Sequence, residues 1–141
     1  MSIQPTRITW LMQRARRVLR TARLAFGDED YASAINRAYY AIFYAANAAL
    51  STRGLERSKH SGVVSEFRTQ FVKTGLIEPQ YSQFYGDAMD ARQSSDYDFV
   101  IEPGHEQAEA ALDEAQRFVD RIERFLQEQG YDSVADVVDA E

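Results

Sequence analysis

The stretch "RAYYAIFYAANAAL", residues 37–50, decides how the rest of the chain is read, because every side chain after Arg37 except Asn47 is apolar or aromatic. A helix in a small bundle usually buries one stripe and leaves the remainder in water. One that is apolar nearly all round needs more cover than a single neighbour supplies. Two arrangements meet that need: the helix is central in its own bundle, or it meets a partner.

Upstream, Ile8, Leu11, Ala15, Val18, Ala22 and Ala25 recur at spacings of three and four, which predicts a helix over residues 6–26. Its other faces carry six arginines and no acid. Gly27 stops it, and Asp28, Glu29 and Asp30 suit the acidic first turn of a second helix over 29–52, ended by Arg53-Gly54. Downstream, Val63, Val64, Phe67 and Phe71 mark a shorter third helix closed by Gly75. Pro79 favours the first turn of a fourth, which runs through Phe84, Ala88 and Ala91 to about Arg92 and then either frays or extends across 94–100. After the break at Pro103-Gly104, a stripe of Ala108, Ala111, Ala115, Phe118, Ile122 and Phe125 predicts a long fifth helix. No segment sustains the period of two that a strand requires. The expected fold is all-α, an up-and-down bundle of four to five helices. It forms a single domain over 6–128, with a loose acidic tail over 129–141.

A chain of 141 residues, 45% hydrophobic, can bury one core. It has no cysteine, which removes disulfides, thiolate metal sites and cysteine nucleophiles and suits a reducing cytoplasm. Arg14, Arg16, Arg17, Arg20 and Arg23 interrupt any apolar region that a cleavable leader would need. The apolar run over 38–50 is short of the roughly 20 residues that cross a bilayer, so a soluble, cytoplasmic protein with no membrane partner is expected. The net charge of −6 argues against general affinity for polyanions. It hides a segregation, since residues 102–141 hold twelve acids against three arginines while the first helix is purely basic.

Few constellations carry chemistry. The Glu-x-x-His spacing of di-iron bundles occurs once, at Glu102 and His105, and straddles Pro103-Gly104. With His60 the only other histidine, no metal site and no cofactor is expected. The pairs Asp87/Asp90 and Glu106/Glu109 read as solvated helix faces, and there is no glycine-rich phosphate loop. The basic first helix can pair with the acidic final one or follow a nucleic-acid backbone, but apart from Trp10 no aromatic stacking residue is interleaved with its arginines, which favours pairing. Arg37, Tyr40, Tyr44 and Asn47 share one face of the second helix. A desolvated arginine there needs an anion, which either Asp87 or Asp90 or a ligand in a groove would supply. Arg92, followed by Asp96, Tyr97 and Asp98, can bind a phosphate bidentately or pair with one of those carboxylates.

The segments "NRAYYAIFYAANAAL", "KHSGVVSEFRTQFVKTG" and "ARQSSDYDF", followed by a long last helix, together resemble the HEPN superfamily over about residues 14–126, in its branch of small stand-alone proteins. The resemblance implies a helical bundle that pairs as a homodimer with a groove between protomers. It also implies a minimal nucleotidyltransferase as partner in a toxin–antitoxin pair. Toxins of this kind are metal-independent endoribonucleases, and some are silenced when the transferase adenylylates a tyrosine. Their activity tracks an arginine followed, after four to six residues, by histidine.

Arg92 matches that arginine, but Tyr97, Asp98 and Phe99 stand at the histidine positions. An ordinary tyrosine titrates near about 10, too high for a general base at neutral pH, and an aspartate substitutes weakly. The modifiable tyrosine falls on Phe99, which leaves Tyr97 as the nearest acceptor. The resemblance therefore implies that Arg92, Asp96 and Tyr97, with Arg37 and Asn47, bind nucleotide or RNA phosphate without efficient cleavage. One alternative is an active ribonuclease in which Asp98 or His60 serves as base beside Arg92. Another is a pure protein-interaction subunit with Arg92 in a salt bridge.

Overall fold

The structure, a computed structural model, describes residues 4–55, 60–97 and 102–131. Five α-helices follow one another: α1 Gln4–Gly27, α2 Tyr31–Ser51, α3 His60–Phe67, α4 Pro79–Tyr97 and α5 His105–Glu128. A π-helical turn, Arg68–Val72, continues α3. There is no strand among the described residues, so the fold is all-α.

Helix α2 is central. It packs against α1, α3, α4 and α5, and thirteen of its 21 residues are buried within the single chain. The demand for cover raised by residues 37–50 is thus met mainly from inside. Alanines make this possible: Ala38, Ala41, Ala45, Ala48 and Ala49 are at most 1% exposed, and their small side chains let α1 and α5 close in from different directions. Large rings fill the space between α3, α4 and α5, with Phe67 5.3 Å from Phe118, Phe71 5.1 Å from Phe125 and Tyr85 5.7 Å from Phe118 between ring centroids. Each such ring, fully buried, stabilises the fold by about 2–3 kcal/mol. Only Tyr40, Phe43 and Tyr44 in the middle of α2 stay half-buried, and Arg37 is exposed.

Three boundaries differ from the sequence expectation. The acids before α2 do not form its first turn: Glu29 has φ +62, outside the helical region, and Asp30 is the N-cap, its Oδ1 accepting from the Ser33 N–H at 3.3 Å. The third helix changes pitch, because Val63, Phe67 and Phe71 must all face inward at spacings of four and a π turn keeps that spacing on one side. The fourth helix extends rather than frays, so Arg92 lies more than a turn inside its end.

The segregated charges meet across α1 and α5. Arg16 pairs with Asp120 at 2.9 Å and with Glu123, and Arg23 donates to Gln116. At the N-terminal end of α5 the His105 ring packs on Phe26 and Tyr31 at 4.8 and 5.8 Å, and Gln107 accepts from the Gly104 N–H at 2.6 Å. No described helix is long and apolar enough to cross a membrane.

Candidate functional site

Along α4, Ser82, Tyr85 and Ala88 are buried at spacings of three, and Arg92 continues the row one turn later. That register turns Arg92 toward α2. Its guanidinium carbon lies 5.0 Å from the centre of the Tyr39 ring and 5.8 Å from that of Tyr40. Tyr39 is fully buried, with Tyr40 at 5.1 Å edge-on and Tyr85 at 6.2 Å. Burial pushes the Tyr39 hydroxyl up to about 12; the Arg92 charge opposes this and Tyr40 adds to it. Burial drives Tyr85 higher still. Both phenols are therefore neutral near pH 7 and unsuited to act as bases. The rings of Tyr39 and Tyr40 hold the arginine instead, and a planar guanidinium is the group that suits a flat, two-oxygen acceptor.

The other expected site residues are distributed unevenly. Arg37 is exposed one turn before Tyr40 and borders a shallow hollow of about 190 Å³ with Ala32, Ser33 and Asn36. Asn47 is interior, 5% exposed, and donates from Nδ2 to the Phe43 carbonyl of its own helix at 3.2 Å. Asp96 and Tyr97 fall in the last turn of α4, and Asp98 lies outside the described residues. His60 opens α3.

Asp87 and Asp90 do not supply the carboxylate considered for the α2 stripe. Asp87 is exposed, accepts from Gln83 at 3.0 Å and adds to the burial that raises Glu114. Asp90 borders a separate cleft of about 490 Å³ with Arg68, Lys73 and Gly86. What α4 sets against the middle of α2 is Arg92 itself. Among the described residues, no three histidine or carboxylate side chains converge on a point that could hold a metal ion.

A second cluster adjoins this site. Trp10 of α1 meets Tyr44 edge-on at 6.5 Å, and the Arg14 guanidinium lies 5.8 Å from the Trp10 ring and 5.6 Å from the Tyr44 ring. Sequence reading reaches half of it, since Trp10 and Arg14 are four apart on one helix. Tyr44 comes from another helix, and its arrival depends on how α1 and α2 pack.

Fold and site together define a small all-α domain whose candidate ligand group is an arginine held over the aromatic edge of its central helix. The chain belongs to the HEPN domain family, whose family model matches residues 8–125. A UPF0332 protein of Thermotoga maritima is 37% identical over 121 residues, covering 86% of this chain and 92% of its own length. The candidate toxin MJ0605 of Methanocaldococcus jannaschii is 39% identical over 118 residues, 84% of this chain and 87% of that protein. A second candidate toxin of that organism, MJ0142, is 32% identical over 116 residues, 82% of this chain and 79% of that protein. The crystal structure of TT1696 from Thermus thermophilus superposes with a TM-score of 0.73 over 85% of this chain and 98% of the other, at 22% identity, a likeness of fold.

Proposed function

We propose that this protein is the HEPN member of a toxin–antitoxin-like pair, a homodimer whose interprotomer groove receives RNA or nucleotide phosphate on Arg92. One observation carries the reading: the Arg92 guanidinium rests on Tyr39 and Tyr40 beside the half-covered edge of α2, where a second copy would form the other wall. The two relatives named as candidate toxins support the setting. In this reading Arg37 approaches the groove from α2, and Asp96 and Tyr97 from the end of α4. The protein partner is a minimal nucleotidyltransferase, for which Tyr97 is the nearest acceptor. Binding outweighs cleavage, because positions 97–99 carry tyrosine, aspartate and phenylalanine where an efficient base would be histidine.

The test is binding of a fluorescent single-stranded RNA at low salt by the wild type, Arg92→Lys and Arg92→Ala. A bidentate, charge-assisted contact is worth about 1.5–3 kcal/mol, so Arg92→Ala should bind roughly ten- to a hundredfold more weakly, with Arg92→Lys between. Equal affinity of wild type and Arg92→Ala, or no binding by the wild type, overturns the reading. Cleavage that survives EDTA and disappears in Arg92→Ala replaces it with an active ribonuclease.

A further inference from the structure

Five of the six arginines of α1, all but the half-buried Arg7, divide into those held by α5 and those with no carboxylate partner among the described residues. Arg16 and Arg23 turn to α5, where Asp120, Glu123 and Gln116 receive them. Trp10, Arg14, Arg17 and Leu24 lie on a different face, at offsets of four, three and seven, and all are exposed: Trp10 is 53% and Leu24 75% accessible. Among the described residues no carboxylate pairs with Arg14, Arg17 or Arg20, and α1 contains no acid to screen them. A large indole half in water, with a guanidinium stacked on it and no carboxylate among the described residues to partner that charge, stands out on this surface. It is the composition of a stacking platform for single-stranded nucleic acid.

The cluster also has a direction. From Trp10 the rings continue to Tyr44 at 6.5 Å and on to Tyr40 at 6.4 Å, and Tyr40 lies under Arg92 at 5.8 Å. We infer that Trp10, Arg14 and Tyr44 form a base-stacking shelf for single-stranded RNA, and that one strand runs from this shelf across Tyr40 to place a phosphate at Arg92. The inference rests on the Arg92 reading and extends it by naming the ligand as a strand with unpaired bases rather than a lone phosphate. Charge favours RNA over a second copy of the chain as occupant of the α1 face. A two-fold contact through this face would set Arg14 and Arg17 near their own images, a like-charge juxtaposition with no acid to relieve it.

Trp10 is the only tryptophan, so its emission reports directly on the shelf. The experiment titrates the full chain with a single-stranded RNA dodecamer and, separately, with inorganic polyphosphate, following tryptophan fluorescence and, by competition with labelled RNA, affinity. RNA should quench the emission, while polyphosphate should compete without comparable quenching because it has no bases. Stacking of one base is worth about 1–3 kcal/mol, so Trp10→Ala should weaken RNA binding roughly five- to 150-fold, with Trp10→Phe in between. Arg14→Gln should flatten the salt dependence of binding.

If RNA binds and Arg92→Ala weakens it, yet the emission is unmoved and Trp10→Ala binds as the wild type does, the shelf is refuted while the Arg92 site stands. If the wild type binds no RNA, both fail together. Emission that changes on raising protein concentration and is then no longer quenched by RNA assigns the face to a second copy and overturns the shelf. Should Trp10→Ala fold poorly by circular dichroism, the wild-type quenching and Trp10→Phe still decide.

Discussion

The Arg92 guanidinium sits 5.0 Å from the centre of the Tyr39 ring, a cation laid on the face of a fully buried phenol. Burial raises the Tyr39 hydroxyl to about 12, above the ordinary value near 10, so the folded chain holds that proton more tightly than the unfolded one. The stability this contributes is complete below about pH 10 and is lost as pH rises toward the folded value, because the unfolded chain ionises first. Denaturant midpoints should therefore fall steeply on the alkaline side, by an amount on the order of 2 kcal/mol from Tyr39. Tyr85, raised by burial as well, adds in the same direction. Tyr39→Phe should soften the slope and the double variant with Tyr85→Phe nearly flatten it. A slope unchanged in the double variant would contradict this. Arg92→Gln removes the charge that opposes the rise, so tyrosinate absorbance in that variant should appear at still higher pH.

Arg121 presents a different buried cation. Its side chain is 4% exposed and donates from Nε to Glu78 at 2.8 Å and from Nη2 to the Leu76 carbonyl at 3.0 Å, tying α5 to the start of α4. The hydrogen bond from Arg121 is the main cause that holds Glu78 below its usual range. Glu78 is half exposed, which screens the pair, so its attraction is modest and the desolvated guanidinium dominates the energetics. Glu78→Ala should cost about 1–2 kcal/mol by removing the acceptor, whereas Arg121→Met, of similar length and apolar, should cost less. Stability from this pair is present above the ordinary glutamate range and fades as pH drops through the lowered Glu78 value. Glu78→Gln should remove that acid slope. Thermal melts of the three variants that ranked Arg121→Met as the worst would contradict the assignment.

The helices were legible because their apolar residues recur at three and four, and the density of apolar side chains over 37–50 marked α2 as needing cover on several sides. Even Arg121 left a trace: three residues after Phe118 and four before Phe125, it falls on the buried stripe of α5. Its partner Glu78 did not, since nothing local ties a residue beside Pro79 to the middle of α5. The same holds for Arg92 and Tyr39 and for Trp10 and Tyr44, pairs joined only by how whole helices pack. The left-handed Glu29 and the π turn after Phe67 were hidden for another reason. Each is a backbone adjustment to tertiary demand, made by residues with no intrinsic preference for it.

Gly86 gives a prediction in which two small terms oppose each other. It lies inside α4, where glycine costs about 0.5–1 kcal/mol relative to alanine. A Cβ at this position would meet Arg68 Nη2 at 3.2 Å, and Arg68 is tethered by its Nε to Ser82 Oγ at 2.6 Å, so it cannot simply swing away. Gly86→Ala alone should therefore leave stability nearly unchanged. In an Arg68→Ala background the obstruction is gone, and the same substitution should stabilise by about 0.5–1 kcal/mol. A double-mutant cycle by urea denaturation measures the coupling. Equal effects in both backgrounds would show that Arg68 does not constrain the glycine.

Tyr40, Phe43 and Tyr44 are each half-buried in the single chain, while the flanking Tyr39, Ala41, Ile42, Ala45 and Ala46 are wholly enclosed. A seam centred on Phe43 would bury that ring against its own copy and leave Tyr40, leading to Arg92, and Tyr44, leading to Trp10, on its two rims, open to the groove. Sedimentation should then give a dimer at micromolar concentration. Phe43→Glu places a charge against its own image across a two-fold axis and leaves the inner face of α2 untouched. It should yield a monomer whose helical content and melting remain close to those of the wild type at low concentration. It should also lose affinity for RNA, because a groove with one wall offers a single Arg92 where the dimer offers two. A wild-type chain that sediments as a monomer, or a Phe43→Glu variant that stays dimeric, would move the seam away from α2.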